Sequence, residues 1–221
     1  MANFKFSRDE VILALDVLFQ SDQKHLAAEK CKIKELSELL NQLPIHSTVN
    51  RDAQFRNETG VFRQIALFRG SCGSGKRDPN VGSLFFVIAN EYEDRHEELH
   101  RIAQSIRRNI PYFDATYGSP DEASGFPEGA LLWHLHCLTE KRESAKIPPE
   151  KRCCICQLEP EMIYRSDADL LEQHLTIDPA QMDGKRKYLE KDYITVCPNC
   201  HEALHRYRPW LVKENCGELL R

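Results

Sequence analysis

No run in this 221-residue chain approaches the roughly 18 to 20 apolar residues that cross a bilayer, and the start, MANFKFSRDE, holds no apolar segment of the signal-peptide kind. A cytoplasmic protein with no membrane partner is the expectation. An overall basic excess is also missing. Acidic residues number 34 against 30 lysines and arginines, a formal charge of -4 that supplies no global field for a polyanion. No segment repeats at a useful period. The stretch Gly70 to Lys76, GSCGSGK, satisfies the first part of a phosphate-cradling loop but lacks its end. Arg77 stands where a hydroxyl would bind magnesium, and Asp78-Pro79 follow where a helix would start. A flexible glycine and serine loop is expected there, without nucleotide.

What is present is enough for a core, with 41% hydrophobic residues. Ser7 to Gln20 reads as a helix, because Ser7 and Glu10 stand at capping-box spacing and Val11, Ile12, Leu15, Leu18 and Phe19 share a stripe. Lys32 to Leu43 reads as a second helix closed by Pro44, Glu91 to Ile110 as a third and Glu128 to Glu143 as a fourth. Asn57 to Gly60 is turn-like, and Val61 to Phe68 is apolar-rich without a clear period. The prolines and mixed charges of Ala145 to Lys151 mark a boundary. The expectation is an α+β chain, with a mainly helical N-terminal domain over 1–144 for target or partner recognition and a small domain over 145–221. One local charge excess stands out. Between Arg51 and Arg77 six basic residues face two acidic ones, and Arg56, Arg63 and Arg69 are the candidates to meet phosphates.

The chain has nine cysteines, and in a reducing compartment four of them are better explained by metal than by disulfides. Cys153 and Cys156 form one C-x-x-C pair, Cys197 and Cys200 another. Two such knuckles suit one tetrahedral zinc, at about 2.3 Å per sulfur, in a closed structural site. Cys31, Cys72, Cys137, Cys154 and Cys216 show no pattern and read as plain thiols. The second knuckle runs on as CPNCHEALH. On a helix, His201 and His205 point from one face and look like ligands for a different ion left open to chemistry, beside the plainer readings as surface or core imidazoles or as a replacement for a cysteine ligand. Leu170 to Ile177 and Tyr193 to Val196 are candidate short strands, and Cys200 to Tyr207 a helix stopped by Pro209. A hairpin followed by a helix is too small to build much core, so zinc is expected to stabilise it.

Taken in order, Cys153 to Cys156, Tyr164, LLEQH (Leu170 to His174), Asp192 and CPNCHEALH resemble the ββα-metal unit of the HNH endonuclease family. Upstream, ELSELLNQLPIH (Glu35 to His46), FRNETGV (Phe55 to Val61) and the region around Glu128 to Arg142 are similar to bacterial HNH proteins of the restriction or 5-methylcytosine-specific type. The resemblance implies a metal-dependent hydrolase of DNA phosphodiester bonds, serving restriction or defence against foreign DNA. It implies structural Zn2+ on Cys153, Cys156, Cys197 and Cys200, and catalytic Mg2+ or Mn2+ on His201 and His205. Asp192 would orient the loop or a ligand imidazole. DNA is the implied partner, and a homodimer would suit cutting of both strands.

The strand departs from the family pattern, which places a metal ligand and a base histidine side by side. Counted from Glu172, His174 takes the ligand seat and Leu175 the base seat. Slipped by one residue, Gln173 becomes a neutral ligand and His174 the base, and this second register is the one adopted for the expected catalytic set of His174, Asp192, His201 and His205. The alternative is a degenerate unit, in which the same zinc scaffold folds as a DNA-binding or interaction module without hydrolysis.

Overall fold

The computed structural model describes residues 5–20, 26–46, 51–74, 80–113, 128–148, 150–164 and 170–207. It is an α+β structure, with eight α-helices and one two-stranded antiparallel sheet among the described residues. None of those helices is long and apolar enough to cross a membrane. The chain divides into two compact units, Met1–Trp133 and His134–Arg221. The division falls eleven residues before the expected end of the first domain at 144, inside a helix rather than in the proline-bearing segment after it.

The first unit is built around α1 (Arg8–Phe19), started by the Ser7/Glu10 capping box that the sequence suggests. Ten of its twelve residues are buried, because α2 (Leu26–Gln42), α3 (Glu58–Ser74), α4 (Ser83–Glu91) and α5 (His96–Asn109) all pack on it. Burial on every side forces its charged residues to find partners. Arg8 pairs with Glu91, and Asp16 meets Arg107 at 2.6 Å and His100 at 2.7 Å. Asp9 accepts the backbone N–H groups of Ala130 and Leu131, each at 3.1 Å, at the start of α6 (Ala130–Glu143). Gly129 makes room for that contact. Its φ is +88°, and a Cβ there would lie 2.5 Å from an Asp9 carboxylate oxygen.

Glu10 receives Arg56 at 2.6 Å and His46 at 3.1 Å. This revises the expected role of the basic segment. The Arg56 guanidinium also lies 4.0 Å from the Phe6 ring centroid, and its side chain is 9% exposed. Arg51 donates to the carbonyls of Asn41, Leu43 and His46, capping the C-terminal end of α2. Two of the six basic residues therefore serve the interior, while Arg63 is exposed.

Three local expectations also change. Asn57 caps a helix by accepting the Gly60 N–H at 2.7 Å, and Val61, Ile65 and Phe68 form its buried stripe, so the apolar stretch of unclear period is α3. That helix continues through Ser74, which makes the first residues of GSCGSGK helical rather than loop; residues 75–79 lie outside the described set. The expected helix over Glu91 to Ile110 is α5, which starts five residues later at His96; Glu91 ends α4, and a turn over 92–95 separates the two.

In the second unit, α7 (Pro160–Ile163) precedes the hairpin of β1 (Glu172–Leu175) and β2 (Tyr193–Val196), followed by α8 (Pro198–Tyr207). His174 stands opposite Ile194, and Leu175 opposite Tyr193. The core is small: Ile155, Leu171, Ile194, Val196 and Leu204 surround Cys153, Cys197 and Cys200. The rest of α6 belongs to this unit. The Thr176 N–H bonds the Asp192 carbonyl, so antiparallel alternation turns the Leu175 N–H and C=O to the open edge of the sheet. Both are met from α6, the N–H by Glu140 at 2.8 Å and the C=O by His136 at 2.8 Å. Two side chains four residues apart on one helix face thus cover an exposed strand edge.

Candidate metal centre

The first site gathers the four expected thiols. Cys153 and Cys156 sit in a tight turn closed by the bonds Gln157 N–H to Cys153 O (3.0 Å) and Cys153 N–H to Leu158 O (2.9 Å), with Gln157 at a φ of +61°. The second pair spans the end of β2 and the first turn of α8, where the His201 N–H bonds Cys197 O. The two pairs meet with Cys156 Sγ 3.7 Å from Cys197 Sγ, and the Cys154 N–H bonds Thr195 O across the unit. All four sulfurs lie within 4.8 Å of one another. Burial pushes the Cys200 thiol well above its usual value, and the neighbouring sulfurs push the same way. Thiols packed so closely cannot ionise together without a cation among them, and four sulfur donors are the donor set that zinc prefers.

A second group of donors is formed by Glu140, His174, His201 and His205, whose ligand atoms also lie within 4.8 Å of one another. One Glu140 oxygen lies 2.9 Å from His201 Nε2 and 3.0 Å from His205 Nε2. The other lies 2.9 Å from His174 Nδ1 and accepts the Leu175 N–H. Three elements converge here. The helical spacing of α8 supplies two imidazoles, β1 the third and α6 the carboxylate.

Charge and exposure are graded across the group. The His174 side chain is 0% exposed and Glu140 7%, whereas His201 and His205 are 18% and 22% exposed, so among the described residues the group is more open on the α8 side. Burial pushes the Glu140 carboxyl up, but hydrogen bonds from the three imidazoles outweigh it and hold it far below the usual carboxylate range. Burial takes His174 below its ordinary value against the pull of Glu140. For His201 burial acts downward too, yet Glu140 and Glu172 prevail and raise it. Glu172 lies 2.5 Å from His201 Nδ1, an arrangement that fixes the ring and leaves Nε2 facing the group. Burial lowers His136 to about 4, so at neutral pH it is an uncharged donor to Leu175 O. Three imidazoles and one carboxylate fit a divalent transition-metal ion, imidazole being a poor match for magnesium.

Of the expected site residues, His174, His201 and His205 are brought together. Gln173 and Asp192 are not part of the group. Strand alternation turns Gln173 to the opposite face, where its amide donates to Pro148 O (3.1 Å) and Thr195 Oγ1 (3.0 Å). The Asp192 carboxylate accepts from Arg186 (3.0 and 3.1 Å) and from the Leu189 N–H (2.8 Å), and its carbonyl holds Thr176. It fixes the loop that enters β2.

Sequence reasoning missed Glu140, Glu172 as a partner of His201, and His136. The available signal was the spacing His136-x-x-x-Glu140, which sets an imidazole and a carboxylate on one face of α6. A scan against protein-family models and searches of curated proteins and of solved structures found no match.

Proposed function

We propose that the second unit is a metal-dependent DNA endonuclease of the HNH type, with the first unit selecting the target. The observation that supports this reading is the donor group, in which His174 on a strand and His201 and His205 on a helix follow the order of the family motif, Glu140 joins them from α6, and the α8 side is partly exposed. In this reading His174 is a ligand rather than the base, because it is fully buried with Nδ1 turned to Glu140. That is the register counted from Glu172.

A divalent ion held there would offset negative charge on the scissile phosphate and on the departing 3′ oxygen. Glu172 steadies His201, while Glu140 and His136 hold β1 in place through the backbone of Leu175. The oxygen of a water forms the new P–O bond, the bond from phosphorus to the 3′ oxygen breaks with its electron pair on that oxygen, and the proton of the water passes to solvent. Leu175, in the place that the motif gives to the base, cannot accept that proton. A general base contributes a factor of about 100 to 10,000, so turnover is slow.

Nicking of supercoiled plasmid by purified protein tests the reading. Manganese or nickel should support it, and excess chelator or His201→Ala should abolish it. A second reading, a zinc-bearing DNA-binding or interaction module without hydrolysis, is favoured by Leu175, a hydrocarbon in the place that the motif gives to the base. No nicking with any divalent ion, together with retained binding of duplex DNA, would select it.

A further inference from the structure

We infer that Glu140 is a fourth protein ligand of the second site, so that zinc closes the site whereas an ion accepting six donors leaves positions open on the α8 side. Both Glu140 oxygens face ligand nitrogens, one toward His201 and His205 and the other toward His174, and neither turns to solvent. That orientation suits a ligand and not a proton acceptor for water. The second oxygen is also fixed by the Leu175 N–H, so the carboxylate arrives with its direction set by the backbone of β1. Its position on α6 makes the ion a clip that joins α6, β1 and α8.

Four protein donors have different consequences for different ions. Zinc in protein sites is satisfied by four, leaving no place for a phosphate oxygen. Manganese and nickel take more, and the partly exposed His201 and His205 mark the side on which a phosphate or water would complete the shell. Magnesium, which needs oxygen donors and keeps its waters, is excluded by three imidazoles. The claim about activity rests on the nuclease reading; the claim about the ligand does not.

The test is zinc binding by the full-length protein, titrated against a competing chelator with metal analysis. Wild type should bind two zinc ions per chain. Glu140→Gln, which keeps an acceptor for the Leu175 N–H, should retain one on the cysteines and bind the other at least 10- to 100-fold more weakly. Unchanged affinity for the second zinc in Glu140→Gln would overturn the assignment. If that variant does not fold, anomalous diffraction from zinc-loaded wild type decides: an ion within about 2.2 Å of a Glu140 oxygen upholds the inference, and an ion bound by the imidazoles without Glu140 overturns it. Nicking by manganese-loaded wild type should stop when the second site is filled with zinc; a zinc form as active as the manganese form would refute the closure. Weakened zinc binding in Glu140→Gln with no nicking under any ion would leave the ligand in place and remove the nuclease reading instead.

Discussion

Replacing Arg56 by alanine separates the structural role found here from the phosphate contact that its charge suggests. The guanidinium meets Glu10 at 2.6 and 3.0 Å and the Lys5 carbonyl at 3.0 Å, with Glu10 1% and Arg56 9% exposed. Breaking a buried pair by deleting one partner costs about 3 to 5 kcal/mol, because the remaining charge stays buried. Glu10 keeps the Ser7 N–H at 2.8 Å and His46 at 3.1 Å, which places the loss at the lower end, about 3 kcal/mol. For a chain of this size that lowers Tm by roughly 6 to 12 °C. Thermal unfolding and urea titration measure it. The pH dependence carries a sign. Burial raises the Glu10 carboxyl, but His46 and Arg56 outweigh it and hold it below its ordinary value of 4.5, so the pair stabilises the fold above pH 4.5 and the benefit fades as pH falls. The gap between wild type and Arg56→Ala should therefore be widest near neutrality and shrink in acid. A variant that melts like wild type but binds DNA more weakly, with a flatter salt dependence, would refute the buried role and restore the phosphate contact.

Cys197→Ala should lose the tightly held zinc and unfold the second unit, since Cys197 belongs to a core too small to stand alone; normal melting or full zinc content would contradict the structural site. Leu175 is buried and, two residues from Gln173, shares its face of the strand, turned from the donor group, so Leu175→His should leave nicking slow; a gain of about 100-fold would show that both His174 and residue 175 reach the group. Asp9, raised by burial to about 6 from 3.8, should titrate near pH 6 when followed by carboxyl NMR. A folded-state value above the unfolded one destabilises the charged form, so this group alone should remove about 3 kcal/mol of stability as pH rises from below 3.8 to 7; titration near 4 would show that its backbone bonds offset burial.

Much of the local structure was legible because its cause is local. The Ser7/Glu10 box, the helical spacing of Leu99, Ile102, Ala103 and Ile106 in α5 and the paired knuckles each place their residues by spacing alone, and the structure follows them. What escaped depends on contacts distant in sequence. Arg56 reads as surface charge until Glu10, 46 residues earlier, is found against it. The register at β1 could not be fixed from Glu172-Gln173-His174-Leu175, since one residue of slip exchanges the faces of a strand and only its pairing with β2 selects one. Glu140 was hidden for a third reason. The prolines after α6 mark a real break in the chain, but a break in secondary structure need not coincide with the limit of a packed unit.

The length of α6 needed by the metal centre follows from that last point and can be tested by truncation. A fragment over 145–221 contains every site residue expected from the motif, but it omits Glu140 and His136, and with them both bonds that satisfy the outer edge of β1 at Leu175. A fragment over 128–221 restores them. If α6 is part of the centre, the longer fragment should bind two zinc ions and the shorter one only the ion on the cysteines. The lost carboxylate removes one donor of the second site, and the uncovered N–H and C=O of Leu175 loosen the strand that carries another, His174. Hydrogen exchange at the Leu175 amide should accordingly be slow in the longer fragment and fast in the shorter. Two zinc ions bound equally well by both fragments, with the same protection at Leu175, would mean that β1 and α8 hold the second ion unaided and that α6 merely lies beside them.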